Sequence, residues 1–536
     1  MRGFPRARWV AGAAVTAIAL TGLTGCGGGS GDQPVRVQLS EPQHDLVPTN
    51  TAETNGAEVL NALYVGLVDY DAKNNPVERV AKSITSTDNK VWTIKIKDGY
   101  TFHNGEKVTA ESFVDAWNYG ALQDNAQEAQ PFFSRIAGFE AVSPGKGKTP
   151  AAKSLSGLKV VNATTFTVTL TEAFNQFKTM LGYTAFYPQS KAFFTDPKKY
   201  GESPVGNGPF QMEAPYKRGT DTTIKVKRYD GFKEGKAKVD KVEFRLYTDL
   251  NTAWNDLRSG SLDIIDQLPA TAVATAKAEL GDRYVDQPSS GVGYIGFPLA
   301  TNPAYGKPEV RKAVSMAIDR KAITDKVFSG TRAPADDFIN PLVDGYRQGA
   351  CGDPCTYNPT KAKELYTQSG GLPGNKIELG YNGDGGHKEW MEAVANNLRA
   401  NLGLEVSVKP FPKFAQVLTD LGDKKYLGAF RMAWIMDYPA AENYLKPIFS
   451  KSAIENGSNY GGYDNPAFDK LLAEAGTKKT VAEAVKTYQK ADDILLNEMP
   501  YIPVYFYRTN YGFSKHVKNV KVDAYERIDL FHIEKA

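Results

Sequence analysis

Cysteine and histidine are scarce in this chain of 536 residues, which contains three cysteines and five histidines. The histidines are scattered, and none lies at metal-ligand spacing from another. We therefore expect neither a metal site nor a cofactor. The five positions are His44, His103, His387, His516 and His532.

The chain also lacks an excess of charge of either sign. It has 64 Lys and Arg against 61 Asp and Glu, which gives a formal net charge of +3. Arg2, Arg6 and Arg8 account for that excess, so the rest of the chain is formally neutral. Because nucleic-acid binding needs a basic patch or stripe, and no basic run is present, no nucleic-acid partner is expected.

Catalytic and nucleotide-binding motifs are missing as well. The chain contains neither a Gly-x-Ser-x-Gly elbow nor a His-Glu-x-x-His motif, and the phosphate-loop pattern ending at Thr149 has Val142 in place of its first glycine. Gly291 to Gly296 matches Gly-x-Gly-x-x-Gly, but Phe297 and Pro298 follow at once, so it opens no helix. We interpret this segment as a strand or hinge at which glycines allow close backbone approach.

Long apolar runs are absent except near the start, from about Trp9 to Leu23, and that run is too short for a good membrane span. Basic residues precede it, and Leu23-Thr24-Gly25-Cys26 follows, which resembles a bacterial lipobox. The resemblance implies a signal peptide over residues 1–25 and lipidation of Cys26. The glycine-rich residues 26–32 would form a flexible tether. The alternative is an ordinary secretory signal with a cysteine nearby.

The other two cysteines, Cys351 and Cys355, are separated by Gly-Asp-Pro, which allows a small closed turn. Outside the cell the expected state is a disulfide bond between them. A metal site is the alternative, but it would need further ligands.

Strand and helix patterns alternate along the rest of the chain. Val35–Leu39 and Val91–Ile96 alternate apolar and polar residues and predict strands, whereas the apolar spacing in residues 58–67 predicts a helix. Such mixing favours an α/β protein, and about 500 residues are too many for one hydrophobic core, so two or more lobes are expected.

Several segments, in order, resemble the oligopeptide- and dipeptide-type solute-binding proteins of ATP-driven (ABC) importers, known as family 5. Examples are Lys97-Asp98-Gly99 at a strand end and the turn Gly206-Asn207-Gly208-Pro209-Phe210. The matching segments are residues 92–99, 102–106, 108–113, 206–210, 257–264, 308–322, 431–439, 463–469 and 500–505.

The resemblance implies an α/β, two-lobed periplasmic-binding-protein-like fold with a ligand cleft between the lobes. An extra insertion domain is expected in lobe one, and the chain crosses between the lobes twice. The implied segments are residues 33–68 (lobe one, first part), 69–189 (insertion), 190–292 (lobe one, second part), 293–503 (lobe two) and 504–536 (return to lobe one).

The resemblance also implies ligand-binding residues. Asp437 follows an apolar strand and precedes a helix, and in peptide-binding relatives the Asp of this Trp-x-x-Asp-Tyr segment pairs with the ligand's α-ammonium. Arg431 would balance charge or bind the ligand's carboxylate, with Trp434 and Tyr438 nearby. The expected contacts from lobe one are Glu41, Pro42 and Asn55.

The implied function is that of a lipid-anchored, monomeric binding component on the outer face of the cell membrane. It would bind peptides and deliver them to the membrane permease of the importer. Two alternatives stay open. One is the same fold binding another solute, such as a sugar, an opine, a metal chelate or haem, and the other is a secreted hydrolase, which the missing nucleophile and metal motifs disfavour.

Overall fold

The first strand shows how local pattern and tertiary structure agree. In the computed structural model, which describes residues 33–145 and 147–536, Val35–Leu39 forms a strand with Val35, Val37 and Leu39 buried. Val91–Ile96 likewise forms a strand that buries its even-numbered side chains. The predicted signal peptide, Cys26 and the tether lie outside the described residues. The chain divides into two units, Met1–Gln33 and Pro34–Ala536.

The segment up to residue 189 contains one strand of the main sheet and a small sheet of its own. That small sheet is antiparallel, with the order β4-β5-β7-β6, and helix α2 packs on it through Trp117 and Phe113. The elements are β1 (Val35–Leu39), α1 (Thr54–Leu63), β2 (Val68–Tyr70), β3 (Pro76–Glu78), β4 (Ala81–Ser86), β5 (Val91–Ile96), α2 (Ala110–Ala121), α3 (Phe139–Val142), β6 (Leu158–Asn162), β7 (Thr165–Thr169) and α4 (Phe177–Met180).

The middle of the chain returns to the main sheet. It adds three strands that pair antiparallel to one another, the last of which lies parallel to β1. Two helices then lead to the first long strand. The elements are α5 (Lys191–Thr195), α6 (Pro197–Tyr200), β8 (Phe210–Met212), β9 (Thr223–Arg228), β10 (Lys241–Leu246), α7 (Leu250–Ser259), β11 (Ile264–Ile265), α8 (Ala270–Leu280) and β12 (Tyr284–Gly296).

The last part of the chain is richest in helices. Its second long strand, β17, returns antiparallel to β12. The elements are α9 (Pro308–Met316), α10 (Arg320–Ala322), β13 (Arg332–Pro334), α11 (Pro359–Gln368), β14 (Lys376–Asn382), α12 (Lys388–Leu402), β15 (Glu405–Phe411), α13 (Phe414–Gly422), β16 (Ala429–Trp434), α14 (Ala441–Phe449), α15 (Ala453–Asn456), α16 (Pro466–Gly476), α17 (Val481–Glu498), β17 (Tyr501–Phe513), β18 (Val517–Lys518) and β19 (Glu534–Lys535).

One mixed sheet of eleven strands runs through both halves of the protein. Its order is β15-β14-β16-β12-β17-β11-β1-β10-β9-β8, and β13 pairs with β17. The long strands β12 and β17 lie at its centre and carry the chain from one half to the other. Their register shifts between Pro288 and Val292, so the ladder is irregular where the halves join.

The apolar side chains form separate buried cores that follow these halves. The largest core extends from Val292 to Phe506, whereas a second lies within residues 65–186 and also takes in Tyr438 and Ala440 from the later part of the chain. A third core surrounds β1, β10 and the end of the chain. The segment boundaries given above stay predictions.

Helix α1 differs from its sequence prediction. It spans Thr54–Leu63 rather than residues 58–67, and Tyr64 is already extended. The turn Gly206–Phe210 causes this early end: Asn207 accepts from the N–H of Val65 (3.1 Å) and donates to its carbonyl (3.0 Å). Because a distant segment satisfies these backbone groups, the helix does not need to continue.

Cys351 and Cys355 are joined by a disulfide bond in the structure, with their Cα atoms 5.5 Å apart. It closes a five-residue loop next to Pro359–Gln368. Across the described ranges 33–145 and 147–536, no helix has both the length and the apolar character needed to cross a membrane.

Candidate ligand cleft

Asp437 lies in the connection between strand β16 and helix α14, and its side chain is half-buried. Asn443, in the first turns of α14, holds it from two sides. The N–H of Asp437 donates to Asn443 Oδ1 (2.8 Å), and Asn443 Nδ2 donates to Asp437 Oδ2 (2.9 Å). Among the described residues, no Lys, Arg or His forms an ion pair with this carboxylate.

The surroundings of Asp437 disfavour its negative charge. The pKa of Asp437 is raised to about 7, mainly by burial; the Asn443 amide opposes this shift, and the charge of Glu442 adds to it. Asp437 and Glu53 also act together on Tyr183, whose pKa is raised well above its ordinary value, mainly by burial. Asp437 therefore lies close enough to Tyr183, in the first half of the chain, for its charge to act on that residue.

The two aromatic neighbours of Asp437 have different surroundings. Trp434 is partly buried and donates from Nε1 to Asn443 Oδ1 (3.3 Å), so it shares the amide that holds Asp437. Tyr438 is buried in the core formed by residues 65–186, and its hydroxyl donates to Glu442. Trp434 therefore lies beside the candidate site, whereas Tyr438 fastens the segment to the insertion.

Arg431 lies in strand β16, opposite Ile295, and is 7% exposed. Its Nη2 donates to Tyr507 Oη (2.9 Å), and its Nη1 donates to Asn382 Oδ1 (3.3 Å). Its buried Nε has no hydrogen-bond partner among the described residues.

A second guanidinium group stands against the same tyrosine. Arg332 Cζ is 4.4 Å from the centroid of the Tyr507 ring, and its Nε is also buried without a partner among the described residues. Although burial opposes it, the two arginines hold the pKa of Tyr507 below its ordinary value. In the described part of the chain neither arginine pairs with a carboxylate, so this place has an excess of positive charge.

The expected contacts from lobe one do not all lie together. Glu41 accepts a hydrogen bond from the backbone N–H of Gly219 (2.5 Å), which directs it towards that loop, and Pro42 is buried. Asn55 accepts from the N–H of Ser40 (3.1 Å) and lines a small cavity of about 110 Å³. Of the three, Asn55 lines this cavity, whereas Glu41 and Pro42 are not among its lining residues.

Sequence reasoning missed Glu53, Tyr183, Arg332 and Tyr507. Glu53 begins helix α1, and its carboxylate accepts from the N–H groups of Asn55 (2.7 Å) and Gly56 (2.8 Å). An acidic residue at a helix start has an ordinary capping role, so its position alone gives no sign of a cleft.

A larger cavity, of about 480 Å³, lies between the insertion and helices α14, α16 and α17. Four of its charged groups already pair with each other across the gap. Arg135 pairs with Glu442, and Lys446 donates to Glu172 (3.2 Å). Because these charges are satisfied within the protein, this cavity is a weaker candidate for a charged ligand. The described residues contain no group of acidic, histidine or cysteine side chains arranged to bind a metal.

Comparison with known proteins shows which family this chain belongs to. The curated relatives include the "Oligopeptide-binding protein OppA" of Bacillus subtilis, 28% identical over 513 residues, which covers 91% of this chain and 90% of the relative. The "Dipeptide-binding protein DppE" of Bacillus subtilis is 30% identical over 499 residues, covering 88% and 86%. A solved structure of Haemophilus influenzae OppA in complex with RPPGFSPFR superposes with a TM-score of 0.77 at 23% identity, covering 94% and 99%.

The predicted family and the two-lobed α/β fold are both confirmed. The model for "Bacterial extracellular solute-binding proteins, family 5 Middle" matches residues 75–456. The chain belongs to the family 5 bacterial extracellular solute-binding proteins.

Proposed function

We propose that this protein binds peptides between its lobes and delivers them to the permease of an ABC importer. Its family and the names of two relatives, an oligopeptide-binding and a dipeptide-binding protein, support this function. Delivery to a permease and the monomeric state are part of the proposal, as is a binding rather than a catalytic role.

The observation that carries the proposal is a pair of uncompensated charges of opposite sign. Asp437 has no cation partner among the described residues, and Arg431 with Arg332 has no carboxylate partner there. A peptide with free ends carries the complementary charges, an ammonium group for Asp437 and a carboxylate for the arginines. Main-chain hydrogen bonds along an extended peptide would add affinity that does not depend on its sequence.

A double-mutant cycle tests the role assigned to Asp437. Trialanine and N-acetyl-trialanine are titrated calorimetrically into the wild type and Asp437→Ala. Leaving one member of a buried ion pair without its partner costs roughly 3–5 kcal/mol, so Asp437→Ala should weaken trialanine binding by two or more orders of magnitude. The acetylated peptide, which lacks the ammonium group, should lose much less.

The matched control is Asp344→Ala, which removes an exposed carboxylate from the same half of the protein. It should bind both peptides as the wild type does. Additive losses in the cycle, with no coupling between carboxylate and amine, would contradict the anchoring role of Asp437. Failure of every peptide to bind would contradict the proposed function itself.

Native mass spectrometry of protein purified from its own cells tests the class of ligand independently. We expect bound masses that match peptides, and we expect added peptides to be recovered intact. A retained sugar, opine, metal chelate or haem would favour the other solute classes, and shortened peptides would indicate a hydrolase.

We also propose that Cys26 carries a lipid that anchors the protein to the outer face of the membrane. The basic residues, the apolar run and the lipobox in residues 1–26 support this. Cys26→Ser should therefore shift the protein from the membrane fraction to unprocessed or soluble forms. If the variant fractionates and migrates like the wild type, Cys26 does not carry the lipid anchor.

A further inference from the structure

The small cavity beside Asn55 is acidic. It has a volume of about 110 Å³ and lies where β1 ends and α1 begins. Nine residues line it, of which only Leu39 is apolar and none is Lys, Arg or His. Three of them carry carboxylates: Glu58, Asp266 and Glu526.

Arg527, the cation whose charge acts on Glu58, does not neutralise this cavity. Arg527 acts on Glu58, but it is committed to two other acids, Asp523 (2.6 Å) and Asp69 (3.3 Å). Asp523 itself adds to the negative field at Glu58. The wall of the cavity therefore holds three carboxyl groups and no cationic group of its own.

The carboxylates of the wall, when ionised, can only accept hydrogen bonds. Glu58 accepts from the N–H of Ile528 (3.1 Å), and Glu526 accepts from Ser289 Oγ (2.9 Å). Gln38 is 3% exposed, and its Oε1 has no hydrogen-bond partner among the described residues. A buried acceptor without a partner is costly, and the group that would satisfy it must donate hydrogen bonds.

The titration of these carboxyl groups makes their charge sensitive to a nearby cation. Burial, followed by the charge of Glu526, raises the pKa of Asp266 to about 7. Burial likewise raises the pKa of Glu58 well above its ordinary value. A cation placed among them would favour their charged forms and displace protons.

The cavity connects to the surroundings of Asp437 through the segment that joins the lobes. Glu526 is bonded to Ser289, and the carbonyl of the next residue, Ser290, accepts from Tyr444 Oη (2.6 Å). The charge of Asp437 in turn acts on Tyr444. Side-chain contacts through this segment therefore link the wall of the cavity to Asp437.

We infer that the cavity is a side-chain subsite of the cleft and takes the ammonium or guanidinium group of a cationic ligand residue. This inference rests on the proposed function and adds a substrate class, namely peptides that contain lysine or arginine. The hydrogen-bond donors of such a cationic group are matched by acceptors in the cavity wall. These acceptors are the three carboxylates and the Gln38 amide oxygen, which has no partner among the described residues. An organic cation fits better than a metal ion, since the described residues hold no metal-binding group.

The test compares tripeptides that differ in one charge. Lysine is placed at the first, second or third position of an otherwise all-alanine tripeptide, and each is compared with norleucine, which has the same straight carbon chain without the ammonium group. At one of the three positions, the wild type should bind the lysine peptide about tenfold more tightly than the norleucine peptide, as expected for charge-assisted hydrogen bonds.

The double variant Asp266→Asn/Glu526→Gln should reduce the preference for lysine to about threefold or less. The electrostatic attraction between the carboxylates and the lysine ammonium is lost, whereas the amide oxygens remain as hydrogen-bond acceptors. Glu58 is left unchanged because its carboxyl group accepts a hydrogen bond from the N–H of Ile528. Asp282→Asn, which alters an exposed carboxylate in the same half of the protein, should keep the wild-type preference. Thermal unfolding checks that each variant is folded.

Two outcomes would overturn the inference alone: no preference for lysine at any position in the wild type, or a preference that survives in the double variant. In either case trialanine binding and its loss in Asp437→Ala would leave the proposed function standing. If no tripeptide binds, the inference and the proposed function fall together.

Discussion

Asp437 should make peptide binding depend on pH. Its pKa is raised to about 7 by burial, so below pH 7 the unliganded protein holds a proton there, whereas a bound ammonium favours the carboxylate. Affinity should therefore fall as pH decreases through 7, approaching about tenfold per pH unit, because binding then releases one proton.

Titration calorimetry with trialanine between pH 5 and 8 measures this dependence. Trialanine is chosen because it has no cationic side chain to engage Asp266, whose pKa is also raised to about 7. Asp437→Asn should bind weakly at every pH and lose the slope. A slope that persists in Asp437→Asn would assign the proton to another group.

At the scale of single residues, the sequence predicts those that belong to a local motif. Asp437 and Arg431 lie in one such segment, and their positions after and within a strand follow from its pattern. Arg332 lies about a hundred residues before Arg431 in the sequence, and the two arginines are brought together because both contact Tyr507. A contact of this kind depends on strand pairing across the sheet, which a local sequence pattern cannot predict.

At the scale of the secondary-structure elements, a larger residue in the turn Gly206–Phe210 should destabilise the protein. A Cβ on Gly206 would lie 1.9 Å from the carbonyl oxygen of Leu63 at the end of α1. Gly206→Ala should therefore lower the free energy of unfolding by about 1–3 kcal/mol, the usual cost of overpacking, as measured by chemical denaturation.

The control for this prediction is Gly422→Ala. A Cβ there meets nothing within 4 Å, and the residue ends helix α13, where alanine is favoured over glycine. It should be neutral or slightly stabilising. Equal stability of Gly206→Ala and Gly422→Ala would show that the turn can move away from α1 at little cost.

Element bounds were predictable where local pattern and tertiary structure agree. Val35–Leu39 and Val91–Ile96 match their predictions because alternation places one face in a core. Helix α1 does not match, since its end is set by Asn207, a residue more than 140 positions away. The apolar residues beyond Leu63 are buried in extended backbone instead.

The architecture of the whole molecule followed from the resemblance to family 5 rather than from periodicity. Segment patterns predict strands and helices but do not say that the halves share one sheet. That sharing depends on β12 and β17, whose long antiparallel pairing spans both lobes. The glycine-containing segment Gly291–Gly296, interpreted from sequence as a strand or hinge, lies in β12 close to the register shift.

The contact between the insertion and lobe two should control closure of the cleft. Asn175 Nδ2 donates across this contact to the carbonyls of Ala475 (3.0 Å) and Lys478 (3.1 Å), and its own N–H donates to Gly476 (3.2 Å). None of these bonds involves a residue of the connecting strands β12 and β17, so they can open as the lobes move about those strands. Asn175→Ala removes the two side-chain bonds, each with a net contribution of about 1 kcal/mol.

We therefore expect Asn175→Ala to increase the radius of gyration of the unliganded protein in small-angle X-ray scattering and to weaken trialanine binding by about fivefold to thirtyfold. Saturating peptide should restore the compact form, because the ligand itself bridges the lobes. Asn125→Ala, which removes a bond to Tyr119 within the insertion, is the matched control and should leave both quantities unchanged. If Asn175→Ala scatters and binds as the wild type does, closure depends on other contacts, of which the ion pair between Arg135 and Glu442 is the next to test.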